Sequence, residues 1–177
     1  MAYGFVEPLK IAAKDIDSLG DTFINASEVM EQGQIFSMGA YSTTAGEEEA
    51  FVPVTPATGS LDGLYMLINP VLVETDSKYR GIDPDPRNYT LAANKPGTGY
   101  LLQVGDRLFV TDDALAGTKS TNTFLNAADS ADFLTWGATQ TASALSFAYL
   151  KDATIAIPDG SIGGQRVSGY VIRCIAN

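Results

Sequence analysis

The chain of 177 residues contains no histidine and a single cysteine. Without histidine there is no Ser-His-Asp triad, no Cys-His dyad and no imidazole metal ligand. One cysteine excludes an intrachain disulfide and a zinc cluster. Basic side chains are scarce: 11 Lys and Arg stand against 21 Asp and Glu, for a formal charge of −10. That balance opposes binding to a nucleic-acid backbone, which recruits a basic patch. Charged residues make up only 18 % of the chain, below the usual share of about 25 %. The neutral surface therefore falls to Thr, Ser, Asn, Gln and Gly. Such a surface suits a chain largely covered by neighbours, and equally a plain secreted β protein. No apolar run approaches the ~20 residues that cross a bilayer as a helix. The start MAYGFVEPLK has neither the basic region nor the apolar stretch of a signal peptide, so synthesis and folding in the cytoplasm are expected.

What is present is a series of short apolar runs punctuated by Gly and Pro. Strands are expected at QIFSMGAY (34–41), LYMLI (64–68), VLVET (71–75), FLTW (133–136), LSFAYL (145–150), ATIAI (153–157) and RVSGYVIRCI (166–175). FVPVT (51–55) alternates but carries Pro53, which predicts an edge or end strand. YLLQV, then Gly105-Asp106, then RLFVT has the layout of a hairpin across 100–111. Helix signals are few. Single turns are expected at 15–19 and 112–117, and a short helix at 25–32 with Asn25 as N-cap and Glu28 at N3. Strands at intervals of roughly 8–12 residues argue for an all-β sandwich or barrel. The expected organisation is an N-terminal arm or extension (1–32) on a β domain (33–177), with one or two short helices. The free Cys174, within VIRCI, is expected as a small buried hydrophobe, since only Arg173 is near to activate it.

No motif for catalysis emerges. GTKST (117–121) resembles the end of a phosphate-binding loop, but Thr118 stands where a glycine must precede the lysine, and Asp112 and Asp113 would repel phosphate. Asp83-Pro84-Asp85-Pro86 places two carboxylates close together, as a calcium site would. Two are too few ligands, and Lys78, Arg80 and Arg87 would pair with them instead. Each proline holds its preceding Asp extended, so the stretch is expected to be a stiff loop that loses little entropy on binding. No metal and no cofactor are expected, and no catalytic residue is assigned. A hydrolase working with carboxylates alone stands last among the functions considered.

Two segments are candidates for contact with a partner. In the first, Tyr3, Phe5, Val6, Leu9 and Ile11 form an apolar stretch interrupted by Gly4 and Pro8. It is either the first core strand or an extended arm that adds to a neighbouring subunit's sheet. The second is the proline-stiffened loop with Tyr79, Arg80, Asp83, Asp85, Arg87 and Tyr89, whose tyrosines lie in sequence without strand periodicity.

Along its whole length the chain resembles the head decoration (auxiliary or cement) proteins of tailed bacteriophages. The residues that carry the resemblance are MAYGFVEPLK at the start, the Ala/Thr/Gly-rich strands, VGDRLFVTDDALAG at 104–117 and IPDGSIGGQRVSGYVIR at 157–173. It is a similarity of style rather than of a defining motif. It implies a β-rich structural virion protein on the capsid exterior. Such a protein assembles as a trimer or dimer and clamps adjacent major capsid subunits. The implied partners are the major capsid protein and further copies of the chain, with no nucleic acid and no membrane. Two alternatives stand beside it: a carbohydrate- or host-surface-binding β module of a head fibre or tail, and a tail-tube or connector component.

Overall fold

A computed structural model describes residues 3–43, 49–68, 73–76, 81–83, 85–157 and 164–177, with backbone alone at 73–76 and 81–83. In chain order the strands are β1 (Val6–Lys10), β2 (Gly20–Ile24), β3 (Ile35–Tyr41), β4 (Phe51–Val54), β5 (Tyr65–Leu67), β6 (Val73–Asp76), β7 (Gly81–Asp83), β8 (Pro96–Leu101), β9 (Arg107–Val110), β10 (Phe124–Asn126), β11 (Thr135–Gly137), β12 (Ser146–Ile157) and β13 (Gln165–Ala176). They form a six-stranded sheet of order β1-β9-β13-β12-β10-β11, a closed barrel β2-β4-β3-β5-β8 and the pair β6-β7. The all-β reading holds: a closed barrel stands beside a six-stranded open sheet.

Among the described residues helical structure is limited to 3-10 turns at Ala12–Lys14, Asp17–Leu19, Pro86–Asn88 and Asp112–Ala114. The helix expected at 25–32 is absent. Asn25 still caps: its Oδ1 accepts from the N–H of Ser27 at 3.0 Å and of Glu28 at 3.1 Å. The chain beyond is drawn into tertiary contacts instead. Met30 exchanges backbone hydrogen bonds with Leu91, and the fully buried Gln32 accepts from the N–H of Val6 through Oε1. Local capping cannot sustain a helix when its next turn bonds elsewhere.

The barrel is small enough for aromatic rings to fill it. Phe23 and Phe36 meet edge to face at 4.6 Å, and Tyr65 lies 5.0 Å from Phe23. Gly99 on β8 makes room for them: a Cβ there would lie 2.8 Å from the Phe23 ring and 2.9 Å from Phe36. Asp21 on β2 accepts from the Tyr65 hydroxyl, which burial first and this hydrogen bond second push up to about 12. The barrel closes through a single parallel rung, Phe23 opposite Phe51. Pro53 therefore faces no partner strand on its β2 side, and its missing N–H removes no ladder bond. The edge strand expected at 51–55 is instead flanked by β2 and β3 in a closed barrel, and Pro53 is accommodated because the β2–β4 pairing is limited to one rung.

The hairpin expected across 100–111 does not form. The turn itself is there: Gly105 has φ +103°, and the N–H of Asp106 donates to the Gln103 carbonyl at 3.0 Å. Its two arms enter different sheets, β8 in the barrel and β9 in the six-stranded sheet. The buried Asp106 directs the divergence. Its carboxylate accepts from the N–H of Gln103 and of Ala12, and its carbonyl accepts from the N–H of Cys174 on β13. At the chain end, Asn177 donates to the carbonyls of Leu64 and Leu102 and accepts from the N–H of Leu64, tying β13 to the barrel.

One hydrophobic core spans both sheets: Ile35, Leu64 and Met66 pack in the same cluster as Leu108, Leu125, Phe147 and Ile172. Residues of the expected arm are built into it. Val6, Ile11 and Ala13 belong to this core, while Phe23 and Met30 belong to the barrel interior. Of the two readings of the N-terminal stretch, the chain itself takes up the core strand: β1 pairs antiparallel with β9, with Val6 opposite Val110.

Candidate functional site

The structure scatters the sequence candidates. Phe5, Val6 and Ile11 are buried in the chain's own core and cannot reach a partner without opening the sheet. Leu9 is exposed on β1. Tyr3 donates its backbone N–H to the carbonyl of Arg87 at 2.6 Å, which brings the N-terminal and loop candidates together at one point. Tyr79 and Arg80 lie outside the described residues, and Asp83 is placed by its backbone alone on β7.

Asp85 is committed internally. It caps the 3-10 turn Pro86–Asn88 by accepting from the N–H of Arg87, and it holds the Arg87 guanidinium at 3.0 and 2.7 Å. Arg87 also donates to Gln165 Oε1 on β13. The Arg87 side-chain hydrogen bonds hold the Asp85 carboxyl below the usual carboxylate range, against an opposing effect of burial. A carboxylate so engaged is a loop staple rather than a cation ligand. Tyr89, expected at an interface, is buried with Met30 and Leu91. Among the described residues no three His, Cys, Asp or Glu side chains gather as a metal would require. Cys174 is buried, and burial first and the nearby Asp106 second push its thiol up to about 12, so it stays protonated.

Two surfaces stand out that the sequence candidates missed. The first is the β3–β4 ribbon, where Met38, Tyr41, Val52 and Val54 are all exposed, Tyr41 at 64 %. Met38 pairs with Pro53 across the ladder, and the Tyr41 ring stacks on Phe51 at 4.5 Å. The signal was in the sequence. FVPV is apolar at successive positions, a strand has two faces, and the barrel interior takes only one of them.

The second surface is the outer part of the β12–β13 hairpin. The register pairs Asp152 with Tyr170 and Thr154 with Ser168, so these four side chains share one face. Leu150 is the extra residue between the Tyr149–Ile172 and Lys151–Val171 rungs. This bulge brings Tyr149 onto the same face as Asp152, where plain alternation would separate them. Lys119 bridges the two: its Nζ pairs with Asp152 and lies 4.0 Å from the Tyr149 ring centroid and 5.0 Å from that of Tyr170. Trp136 meets Tyr170 edge-on at 5.2 Å, and its indole N–H is buried without an acceptor among the described residues. The Tyr170 hydroxyl donates to Asp112 at 2.8 Å. Burial first and that bond second push the hydroxyl up to about 12. Beside these groups lies an open depression of about 410 Å³ lined by Asp112, Asp152, Thr154, Ser168 and Tyr170.

No protein-family model, no curated protein and no solved structure matches the chain. Function is therefore argued from these two surfaces and from the residues that build them.

Proposed function

We propose that this chain is a structural virion protein that binds the exterior of a phage capsid and stabilises the shell by clamping adjacent major capsid subunits. The observation that carries the reading is the β3–β4 ribbon, which leaves Val52 and Val54 exposed on one face and Met38 and Tyr41 exposed on the other. Fully burying an exposed side chain of this size is worth about 1.5–3 kcal/mol, and half-exposed ones gain a share of that. A few such contacts give modest affinity per copy. Repetition over a lattice multiplies it, because each bound copy raises the effective concentration of the next contact. A ligand that binds the mature lattice and not its precursor stabilises the shell by mass action. The charge of −10 keeps the protein from being drawn to packaged nucleic acid. The resemblance to head decoration proteins points the same way.

The test is co-sedimentation of the purified protein with mature heads lacking it. Wild type binds and protects the heads against heat or chelator. Tyr41→Ser combined with Val52→Ser folds normally but binds weakly. If purified particles from the source lack this chain, or the double variant binds as wild type does, the reading fails.

A further inference from the structure

We propose that the depression on the outer face of β12–β13 binds a neutral saccharide, independently of any capsid contact. Along this face the aromatic base comes first, then the Asp152–Tyr170 and Thr154–Ser168 rungs, then Arg166 opposite Ala156. Asp112 forms one wall and Lys119 lies over the aromatic end.

Two carboxylates and two aliphatic hydroxyls line the depression beside Tyr170, with Lys119 at its aromatic end and Arg166 one same-face rung beyond Ser168 on β13. An anion placed there meets Asp112 and Asp152. A cation meets Lys119, already seated on the tyrosine rings, and Arg166. An apolar ligand would strip water from both carboxylates without replacing its hydrogen bonds, which is costly. A neutral polyol satisfies all of them. Its hydroxyls donate to the carboxylates in short charge-assisted bonds and accept from Ser168, Thr154 and Lys119. Asp152, Thr154, Ser168 and Tyr170 sit on paired strands, and Tyr170 is braced by Trp136 and by its bond to Asp112. Little ordering is left to be done at binding.

The experiment displays the full chain multivalently on beads. It screens neutral oligosaccharides ending in glucose, galactose, mannose or N-acetylglucosamine, then titrates the best of them by NMR. Asp152→Ala removes a carboxylate acceptor from an exposed position, and affinity is expected to fall about tenfold or more. Ser168→Arg fills the depression from an exposed strand position and is expected to abolish binding. Both variants should keep the wild-type thermal midpoint, and Tyr41→Ser should bind saccharide normally while losing capsid affinity. The inference is overturned if no neutral oligosaccharide is retained, or if both depression variants bind as wild type does. Preferential capture of sialylated glycans or of Lys/Arg-rich peptides through the same residues also overturns it. None of these outcomes bears on the capsid reading, which stands or falls on the β3–β4 ribbon.

Discussion

Residues 3–11 and the β3–β4 ribbon are both apolar and both interrupted by a proline, yet their fates are opposite. Phe5 is 5 % exposed and Val6 2 %, whereas Tyr41 is 64 % and Val54 46 % exposed. The difference lies in what each strand finds behind it. β1 lies against β9, and Phe5 packs with Phe109, Ile157 and Val167 beneath the long hairpin. β4 turns Phe51 toward a barrel interior already filled by Phe23, Phe36 and Tyr65, and leaves Val52 and Val54 exposed on its other face. Hydrophobicity alone marks a segment as needing cover. Whether the chain itself supplies the cover depends on partners distant in sequence.

The sharpest way to break this comparison is to truncate one side chain from each region. Phe5→Ala should destabilise the fold by about 3–5 kcal/mol in chemical denaturation, because it removes a packed ring and leaves a cavity. Tyr41→Ala should change stability by no more than about 0.5 kcal/mol. Equal losses would show that the ribbon is structural and the contrast false.

The next effect tests how the two sheets are held apart. Asp106→Ala leaves the N–H groups of Gln103 and Ala12 without their acceptor. A loss of about 1–3 kcal/mol is expected, from two part-buried hydrogen bonds left without their acceptor. An unchanged denaturation midpoint would mean that the carboxylate does not direct the divergence of β8 and β9.

Smaller again are the titrating carboxyls, whose signs differ. Asp85 is held below its ordinary value by Arg87, so its contribution is present above the unfolded value and lost as pH falls through the folded one. The stability gap between wild type and Asp85→Asn should therefore be open near pH 7 and close as pH falls through the folded value. Glu31 is raised by burial first and by the charge of Asp113 second. Its ionisation costs stability as pH rises through the folded value, so Glu31→Gln should be more stable than wild type at neutral pH and equal to it in acid. Parallel pH profiles for the two variants would contradict these assignments.

Much of the strand inventory was legible, because alternation and turn residues act locally. QIFSMGAY became β3, and RVSGYVIRCI became most of β13. The misreadings each have a distant cause. The runs at 145–150 and 153–157 are one strand, β12, because the Leu150 bulge shifts the phase of alternation and makes Lys151-Asp152 look like a break. The 25–32 helix carried a correct cap but lost its following turn to Leu91 and Val6. The depression was not legible. Asp112, Asp152 and Tyr170 are joined by register and a bulge rather than by a motif, and each alone looks like an ordinary surface residue.

The central claim is that this protein acts by holding other molecules at its surface, and that the β3–β4 ribbon is the surface that meets the shell. Electron microscopy of purified particles from the source tests it most directly. The account predicts density of this size on the outer capsid surface, with β3–β4 turned toward the shell. Particles without such density, or density seated on the shell with the β3–β4 ribbon pointing into solvent, would contradict it.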